Sequence, residues 1–400
     1  MQSERDGRLI LTQLKGESMK LAQARTGERL KVNKKLIPYS FWPVNTGSKG
    51  NSSILPLLFS LDPWAIIDQA IKNNCPNLSK SEALACVHQA RDFYESAIDT
   101  QRVSARPLSL YYCFMNLVKA FCLTRGTQVT FDKAQHGLTE QLGTGGKELH
   151  DAYLEGFPSP NARGKLQNFS EFMQALTGAG LTAPQQYKIP ILLPQILPGH
   201  RLWSSAANKK ERFVAVHEIR PYVNKESGEI WLNIYFVSDD LSRIGITTTN
   251  FLLETDLAGS YTQVSCAELD NLNRKLICFQ QTTPFICNTR KYANYLQGLF
   301  DSIRPYLWVT VSTIPPYRRH YVYTRPSTDS NQVLPQLLSI YALSYYLGSI
   351  TRYRPHHLPT ITDTVFGPRV QDFITGQPQQ FLYLMASEFA KREVTKPSIL

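Results

Sequence analysis

The sequence has few cysteines, and none of the seven stands in a CxxC pair. Zinc sites and disulfide frameworks usually show such pairs or a closely spaced even set. Cys86, Cys113 and Cys122 instead fall in apolar helical patterns, where cysteine behaves as a small hydrophobic residue. We therefore expect reduced core thiols, no metal site and no cofactor.

Long apolar runs are also missing. No stretch approaches the ~18 apolar residues that read as a membrane-spanning helix. Residues 1–20 carry charges throughout and lack the apolar core of a secretory signal. Together these absences predict a soluble, cytoplasmic protein.

No common phosphate-binding or catalytic motif is present. GxxxxGK[ST], GxGxxG, HExxH, GxSxG and DxDxDG spacings are all absent. Residues 143–147, GTGGK, resemble a phosphate loop only superficially, because the spacing is wrong and no predicted strand precedes them. These absences favour a protein that is not an enzyme.

Positive charge is what the chain has in excess. It carries 43 Lys and Arg against 32 Asp and Glu, which gives a formal net charge of +11. Such a bias favours acidic partners, namely nucleic acid, anionic lipid or an acidic protein. Residues 1–50 are predicted to form a basic, loosely attached N-terminal arm. The alternative is ordinary solubility charge, because no long Lys/Arg block concentrates it.

A strongly apolar helix is predicted over residues 104–123, SARPLSLYYCFMNLVKAFCL. Its apolar residues recur every three or four positions, Ser104 is a candidate cap and Gly126 is a candidate C-terminal glycine. A helix this apolar must be covered on most sides. Further helices are predicted over residues 62–73, with Asp62 as cap, over 79–99, with a Ser79/Glu82 capping box, and from residue 333, the last as the packing partner of 104–123.

The middle of the chain has mainly strand character. Four prolines between residues 184 and 198 suit an extended linker or an edge segment, after which side chains alternate with a period of two. Strands are predicted at 213–219, 230–237, 244–253, 275–280, 307–313 and 320–324, with a helix over 288–303. The predicted fold class is α+β: residues 51–184 and 331–400 form one composite helical domain, and residues 185–330 form an inserted β-rich module.

Three candidate catalytic residues stand out. Arg352 and His357 have the Arg-x4-His spacing of HEPN ribonucleases, in which histidine moves a proton and arginine steadies the phosphate. Pro355 lies between them and argues against a shared helix face, and the arginine is also suited simply to complement a helix C-terminus. His136, in the sequence HGL, is the third candidate, although a lone histidine usually has only a structural hydrogen bond.

A candidate binding segment lies at residues 315–326, PPYRRHYVYTRP, where cations and aromatic residues interleave. This mixture suits phosphate contacts with base stacking, or a lipid headgroup. The alternative is a strand with tyrosines on one face and polar side chains on the other. The predicted binding residues are Tyr317, Arg318, Arg319, His320, Tyr321 and Arg325.

Several stretches together resemble the bacterial YaaC-like family. They are RPLSLYYCFMNLVKAFCL at 106–123, QHGL at 135–138 and LLSIYALSYYLGSITRYRPHH at 337–357, with DPW at 62–64 and HQARDFYESA at 88–97. The resemblance covers about residues 64–138 and 334–357, and the two helical blocks also look HEPN-like. Because some YaaC-like proteins are found in anti-phage defence beside a partner protein, the resemblance implies such a role here.

The first functional hypothesis is therefore a non-enzymatic defence protein. It would recognise a phage component or infection structure and recruit a second defence protein through its β-rich module and basic surface. One alternative is a HEPN-like ribonuclease that uses Arg352 and His357. Another is a protein that binds nucleic acid or an anionic membrane.

Overall fold

The computed structural model describes residues 21–32, 34–43, 57–142, 149, 151–289, 291–325 and 333–397. Within these residues the α-helices are α1 Pro63–Asn74, α2 Asn77–Asp99, α3 Arg106–Arg125, α4 Asn168–Thr177, α5 Ile189–Leu192, α6 His200–Ala207, α7 Ser238–Arg243, α8 Thr248–Leu253, α9 Leu296–Asp301, α10 Gln336–Tyr353, α11 His357–Thr362 and α12 Gly367–Ala390. The loop predicted at residues 143–147 and the first twenty residues of the basic arm lie outside the described residues.

The strands of the same residues are short for the most part. They are β1 Glu28–Arg29, β2 Lys31–Val32, β3 Lys35–Leu36, β4 Leu57–Phe59, β5 Ala134–Gln135, β6 Leu138–Gln141, β7 Tyr153–Gly156, β8 Leu166–Gln167, β9 Gln185–Lys188, β10 Phe213–Ala215, β11 Glu218–Asn224, β12 Glu229–Val237, β13 Tyr261–Val264, β14 Leu276–Gln281, β15 Phe285–Ile286, β16 Trp308–Val311, β17 Arg318–Tyr323 and β18 Glu393–Thr395.

Helix α3 lies at the centre of the helical part, as its apolar composition predicts. It packs against α2, α4, α10 and α12, so helices from both ends of the chain share one core. Phe114 of α3 stacks on Phe381 of α12 with ring centroids 4.0 Å apart. The predicted packing of 104–123 against the helix that follows residue 333 is thus observed, and the α+β fold class is confirmed. The unit boundaries at 51, 185 and 331 stay a prediction.

Gly348 is the point where α10 comes closest to α3. A Cβ atom at this position would lie 2.9 Å from Cβ of Tyr111 and 3.3 Å from the Pro107 carbonyl oxygen. Any side chain here would push the two helices apart, because buried interfaces are close-packed. This close approach positions the last turns of α10 beside Tyr111 and its neighbours.

Two of the four predicted helix-end signals are confirmed. The Asp62 carboxylate accepts a hydrogen bond from the Trp64 N–H at 3.0 Å and caps α1. Gly126 ends α3 in the left-handed conformation, with φ 71°. The cap at Ser104 is wrong, because residues 103–105 form a 3-10 turn and no side chain caps α3.

The predicted capping box of Ser79 and Glu82 is also wrong. Helix α2 begins earlier, at Asn77, so both residues lie inside it. The Ser79 hydroxyl donates to the Val129 carbonyl at 2.9 Å, and the Glu82 carboxylate accepts from the Phe131 N–H at 2.7 Å. The two side chains therefore tie α2 to the loop after α3 instead of capping their own helix.

The β-rich middle contains two of the sheets. The larger has the antiparallel order β1-β11-β12-β14-β13, with β15 paired to β12, and the smaller has the order β10-β17-β16. A third sheet, β6-β7-β9, packs beside the helices, and β18 pairs with β4 in parallel. Most predicted strands are present, but the one at 244–253 is wrong, since Thr247 accepts from the Asn250 N–H and begins α8.

Two further predictions are corrected. Residues 184–198 begin with an edge strand, since β9 lies at the edge of the sheet β6-β7-β9. They are not extended throughout, because α5 and a 3-10 turn follow β9, and their prolines occupy first-turn positions where the missing N–H costs nothing. The arm is not loosely attached over residues 22–32. There β1 pairs with β11, and the Arg25 guanidinium donates to the Gln281 carbonyl at 2.5 Å.

Among the described helices, none combines the length and the apolarity needed to cross a membrane.

Candidate functional site

The small sheet β10-β17-β16 forms the floor of a large cavity. In its register Arg319 of β17 lies opposite Thr310 of β16, and Tyr321 lies opposite Ala215 of β10. Directly opposed residues of antiparallel strands share one face of a sheet. Arg319 and Tyr321 therefore stand on the same face, and both line the cavity.

The walls of this cavity come from α6, α7 and the loop that leads into β14. The cavity has a volume of about 940 Å³. We call it the arginine cavity, because its lining contains more arginines than carboxylates: Arg201, Arg243, Arg274, Arg318 and Arg319 against Glu211, Asp240 and Asp270.

Four of the five lining arginines have a carboxylate partner, and for Arg318 it is Glu393 at 4.0 Å. Glu211 pairs with Arg201 at 3.3 Å and with Arg243 at 2.8 Å, and Asp270 pairs with Arg274 at 2.6 Å. Arg319 is exposed, and within the described part of the chain its side chain has neither an ion pair nor a hydrogen bond. An anion that enters the cavity thus meets a guanidinium that is not already neutralised.

His200, on the cavity wall, is occupied on both ring nitrogens. Its Nε2 accepts from the Arg212 backbone N–H at 2.8 Å, so Nδ1 carries the hydrogen and donates to the Pro194 carbonyl at 2.7 Å. Burial lowers the pKa of His200 to about 3. This histidine is neutral at physiological pH and holds the backbone before β10 in place.

His320 is a second histidine with a strongly lowered pKa. It packs against the rings of Tyr39 and Phe41, with centroids 5.3 and 5.5 Å away, and burial lowers its pKa to about 3. In the unfolded chain the pKa is about 6.5, so as pH falls the unfolded state takes up a proton first. We expect the free energy of unfolding to be highest above pH ~6.5. Between pH ~6.5 and pH ~3, each histidine with such a lowered pKa should reduce it by about 1.4 kcal/mol per pH unit.

Urea unfolding at pH 7, 6 and 5 checks this expectation. The His320→Phe variant keeps an aromatic ring among aromatic neighbours and removes the proton site. It should lose less stability than the wild type between pH 7 and pH 5. Equal losses in the two proteins would contradict a lowered pKa at His320.

The other four predicted binding residues make contacts outside the cavity. Arg318 and His320 border the cavity but stand on the opposite face of β17 from Arg319, where the Arg318 guanidinium donates to the Ser387 hydroxyl at 3.0 Å. Tyr317 packs edge-on against Phe59 at 4.9 Å, and Arg325 pairs with Asp256 at 2.5 Å. A binding role for all six residues stays a prediction. Arg319 and Tyr321 line the cavity from the other face of β17, where the Tyr321 ring also packs edge-on against Phe213.

Arg352 and His357 stand on different helices. Arg352 belongs to the last turn of α10, while His357 is the first residue of α11, and Arg354 between them breaks the helix at φ −142°. This break agrees with the effect expected from Pro355. Arg352 donates to the Tyr112 hydroxyl of α3 at 2.5 Å.

His136 lies in the same neighbourhood as Arg352. The Tyr111 hydroxyl is 2.6 Å from Nδ1 of His136, and Tyr111 and Tyr112 are adjacent on α3. Burial, followed by the positive charges of Arg352 and Lys119, lowers the pKa of His136. We call the group Tyr111, Tyr112, Lys119, His136, Glu140 and Arg352 the His136 cluster.

Comparison with protein families matches residues 58–389 to the family described as YaaC-like Protein. The chain belongs to the YaaC-like family. No curated protein and no solved structure matches it. The matched range includes the arginine cavity and the His136 cluster, so both features lie within the YaaC-like region of the chain.

Several residues of this YaaC-like chain that surround the candidate sites escaped sequence reasoning. Glu140 accepts from the Tyr345 hydroxyl at 3.1 Å and from Arg354 at 3.0 Å, a contact between β6 and α10 that no local pattern indicates. Lys119 had one usable signal: it lies seven residues after Tyr112, which places both on one face of α3. No sequence pattern identified the arginines of the cavity walls, because these arginines come from separate elements.

Proposed function

We propose that this protein is a recognition protein that binds an anionic, phosphorylated ligand in the arginine cavity. The observation that supports this best is a cavity of about 940 Å³ in whose lining Arg319 is free of ion pairs among the described residues, whereas each of the other four arginines has a carboxylate partner. Small-molecule sites commonly have about 300–1,000 Å³. Guanidinium groups match phosphate oxygens in a two-pronged geometry, which favours phosphate as the recognised group.

Tyr321 extends the proposal to the shape of the ligand. Its half-buried ring lies two residues from Arg319 on the same face of β17. An aromatic ring beside a cation suits a ligand that combines a planar group with a phosphate. A nucleotide has both parts, so it is the ligand class that we propose.

The biological setting is part of the same proposal. Because some YaaC-like proteins are found in anti-phage defence, we propose that the ligand is produced during phage infection and that binding recruits a second defence protein. We place this activity in the cytoplasm. Seven free cysteines, five of them buried, are compatible with a reducing compartment.

Calorimetric titration with ATP as probe tests the site. We expect Arg319→Ala to weaken ATP binding about 10- to 150-fold, since a charge-assisted hydrogen bond contributes about 1.5–3 kcal/mol. The matched control is Arg163→Ala, which removes an exposed arginine outside the cavity lining and should bind as the wild type does. Equal affinity of the Arg319→Ala variant and the wild type would refute the cavity as the binding site.

The defence role has its own test. Bacteria that carry the protein with its native neighbouring genes are challenged with phage, and plaques are counted for the wild type, Arg319→Ala and Arg163→Ala. Protection that is lost only with Arg319→Ala is the expected result. Protection that survives all substitutions, or that the wild type never gives, would contradict a defence role through this cavity.

A further inference from the structure

A second cavity, of about 330 Å³, is lined by Arg318 and His320 of β17 together with Tyr39 and Glu393. We call it the Glu393 cavity. Arg318 and His320 also border the arginine cavity, whereas Tyr39 and Glu393 do not. We propose that the Glu393 cavity binds an uncharged planar amide, either an aromatic carboxamide or the amide edge of a nucleobase. This site is independent of the proposed phosphate site.

Each of these four side chains carries a buried polar atom that has no hydrogen-bond partner among the described residues. The atoms are the hydroxyl oxygen of Tyr39, Nε of Arg318, Nε2 of His320 and Oε1 of Glu393. Buried polar groups of native proteins are nearly always hydrogen-bonded, because an unpaired one has lost its bonds to water without replacement. Four such atoms on residues that line one cavity point to a bound molecule that completes their hydrogen bonds.

Arg318 and Glu393 provide a donor and an acceptor side by side. Arg318 Nε lies 4.0 Å from Glu393 Oε2, which is too long for a hydrogen bond. The guanidinium is fixed at its other end, where Nη1 donates to the Ser387 hydroxyl at 3.0 Å and to the Val394 carbonyl at 2.9 Å. Glu393 is fixed by its place in β18, which pairs with β4.

A planar amide has the complementary pair of groups. Its carbonyl oxygen accepts a hydrogen bond from Arg318 Nε–H, and its N–H donates to the Glu393 carboxylate. The Tyr39 hydroxyl can donate or accept, so it serves a remaining oxygen lone pair or N–H of the same amide. The pairing therefore uses three of the four unpaired atoms.

The ionised groups of the Glu393 cavity balance without a ligand. Arg318 and Glu393 carry opposite charges. Glu218, the other lining carboxylate, pairs with Arg29 and with Arg220, at 2.7 Å in each case. A charged ligand would add an uncompensated charge at a site where ions are poorly solvated, which is far more costly than binding a neutral polar group. An uncharged ligand is favoured for this reason.

Flat rings form part of the remaining wall. The rings of Tyr39 and Tyr317 line the cavity, and Tyr39 packs edge-on against His320 with ring centroids 5.3 Å apart. Burial raises the pKa of Tyr39 well above its usual value and lowers the pKa of His320 to about 3, so both rings are uncharged near pH 7. Aromatic walls favour planar ligands, and the volume lies within the usual range of small-molecule sites.

Saturation-transfer nuclear magnetic resonance on the full chain provides the test. Dissociation constants are measured for nicotinamide, for its charged analogue nicotinate and for uracil. We expect nicotinamide to bind at least about tenfold more tightly than nicotinate, because the nicotinate carboxylate would lie beside Glu393. Tighter binding of nicotinamide than of uracil would identify a carboxamide as the ligand, and tighter binding of uracil would identify a nucleobase.

Two results would overturn the proposal. If neither nicotinamide nor uracil binds, the cavity holds water only. If nicotinate binds as tightly as nicotinamide, the site does not select an uncharged amide.

Substitutions locate the bound amide. Tyr39→Phe removes an unpaired hydroxyl but keeps the ring, so it should fold like the wild type and weaken nicotinamide binding about two- to tenfold. The matched control is Tyr353→Phe, which removes a hydroxyl from a side chain that is 62% exposed and outside the cavity lining. Equal affinities of these two variants would show that the amide binds elsewhere.

Glu393→Gln tests the charge selection directly. It keeps an acceptor oxygen but removes the negative charge, so the preference for nicotinamide over nicotinate should fall to less than half of its wild-type value. Circular dichroism confirms that the variant is folded, and an unchanged preference would contradict the role of Glu393. These measurements involve neither ATP nor Arg319, so a negative result would leave the test of the arginine cavity unaffected.

Discussion

Replacing Phe114 by alanine should lower the free energy of unfolding by about 3–5 kcal/mol. The side chain is 1% exposed in the middle of α3, and its ring stacks on Phe381 of α12 at 4.0 Å. Alanine removes the whole ring and leaves a cavity between helices that are more than 240 residues apart in the sequence, which neighbouring side chains can fill only in part. Urea unfolding followed by circular dichroism measures the loss.

The matched control is Leu78→Ala on α2, where the side chain is 81% exposed and the effect should stay within about 0.5 kcal/mol. A double-mutant cycle with Phe381→Ala then isolates the contact between the rings. We expect a coupling energy of about 0.5–1.5 kcal/mol. Strictly additive effects would show that the two ends of the chain do not share this contact in solution.

Replacing Arg318 by methionine should be comparably damaging, again by about 3–5 kcal/mol. The guanidinium is buried and donates to the Ser387 hydroxyl at 3.0 Å and to the Val394 carbonyl at 2.9 Å, and Glu393 lies 4.0 Å away. Methionine fills similar space but leaves the carboxylate of Glu393 buried without its cation. Thermal unfolding of the two proteins under identical conditions measures the change.

Arg319→Met is the natural control, since it makes the same chemical change one residue later on the opposite face of β17. We expect it to alter stability by no more than about 0.5 kcal/mol, because Arg319 is exposed. The double variant Arg318→Met/Glu393→Gln should recover part of the loss, because it removes the unpaired charge. Equal effects of Arg318→Met and Arg319→Met would refute the structural role assigned to Arg318.

These two neighbours illustrate how far the candidate site could be predicted. The sequence indicated that residues 315–326 mix cations with aromatic rings, and it left open whether they bind a ligand or form a strand. In the structure residues 318–323 of this segment form the strand β17, and its alternation divides the group. Arg319 and Tyr321 face the cavity, while Arg318 is part of the interior, because β18 and α12 cover that face.

Sequence patterns predicted helix ends correctly where interactions within a few residues determine the end of the helix. Asp62 caps α1 and Gly126 ends α3, as predicted, because a carboxylate next to free N–H groups and a glycine with positive φ act through their immediate neighbours. Ser79 and Glu82 have the spacing of a capping box, yet both side chains bond to the loop after α3. At these two residues, hydrogen bonds to a distant loop form in place of the local helix cap.

The sequence by itself therefore determined the α+β class, the buried character of α3 and α10 and the breaks at proline and glycine. Each of these follows from periodicity or from backbone restrictions that act over a few residues. Only the tertiary structure decided that arginines from α6, α7, β17 and the loop before β14 line one cavity, and that Arg352 bonds to Tyr112 of α3 rather than sharing a helix with His357. Such meetings depend on how helices and sheets pack, and side chains far apart in the chain carry no record of that packing in their spacing.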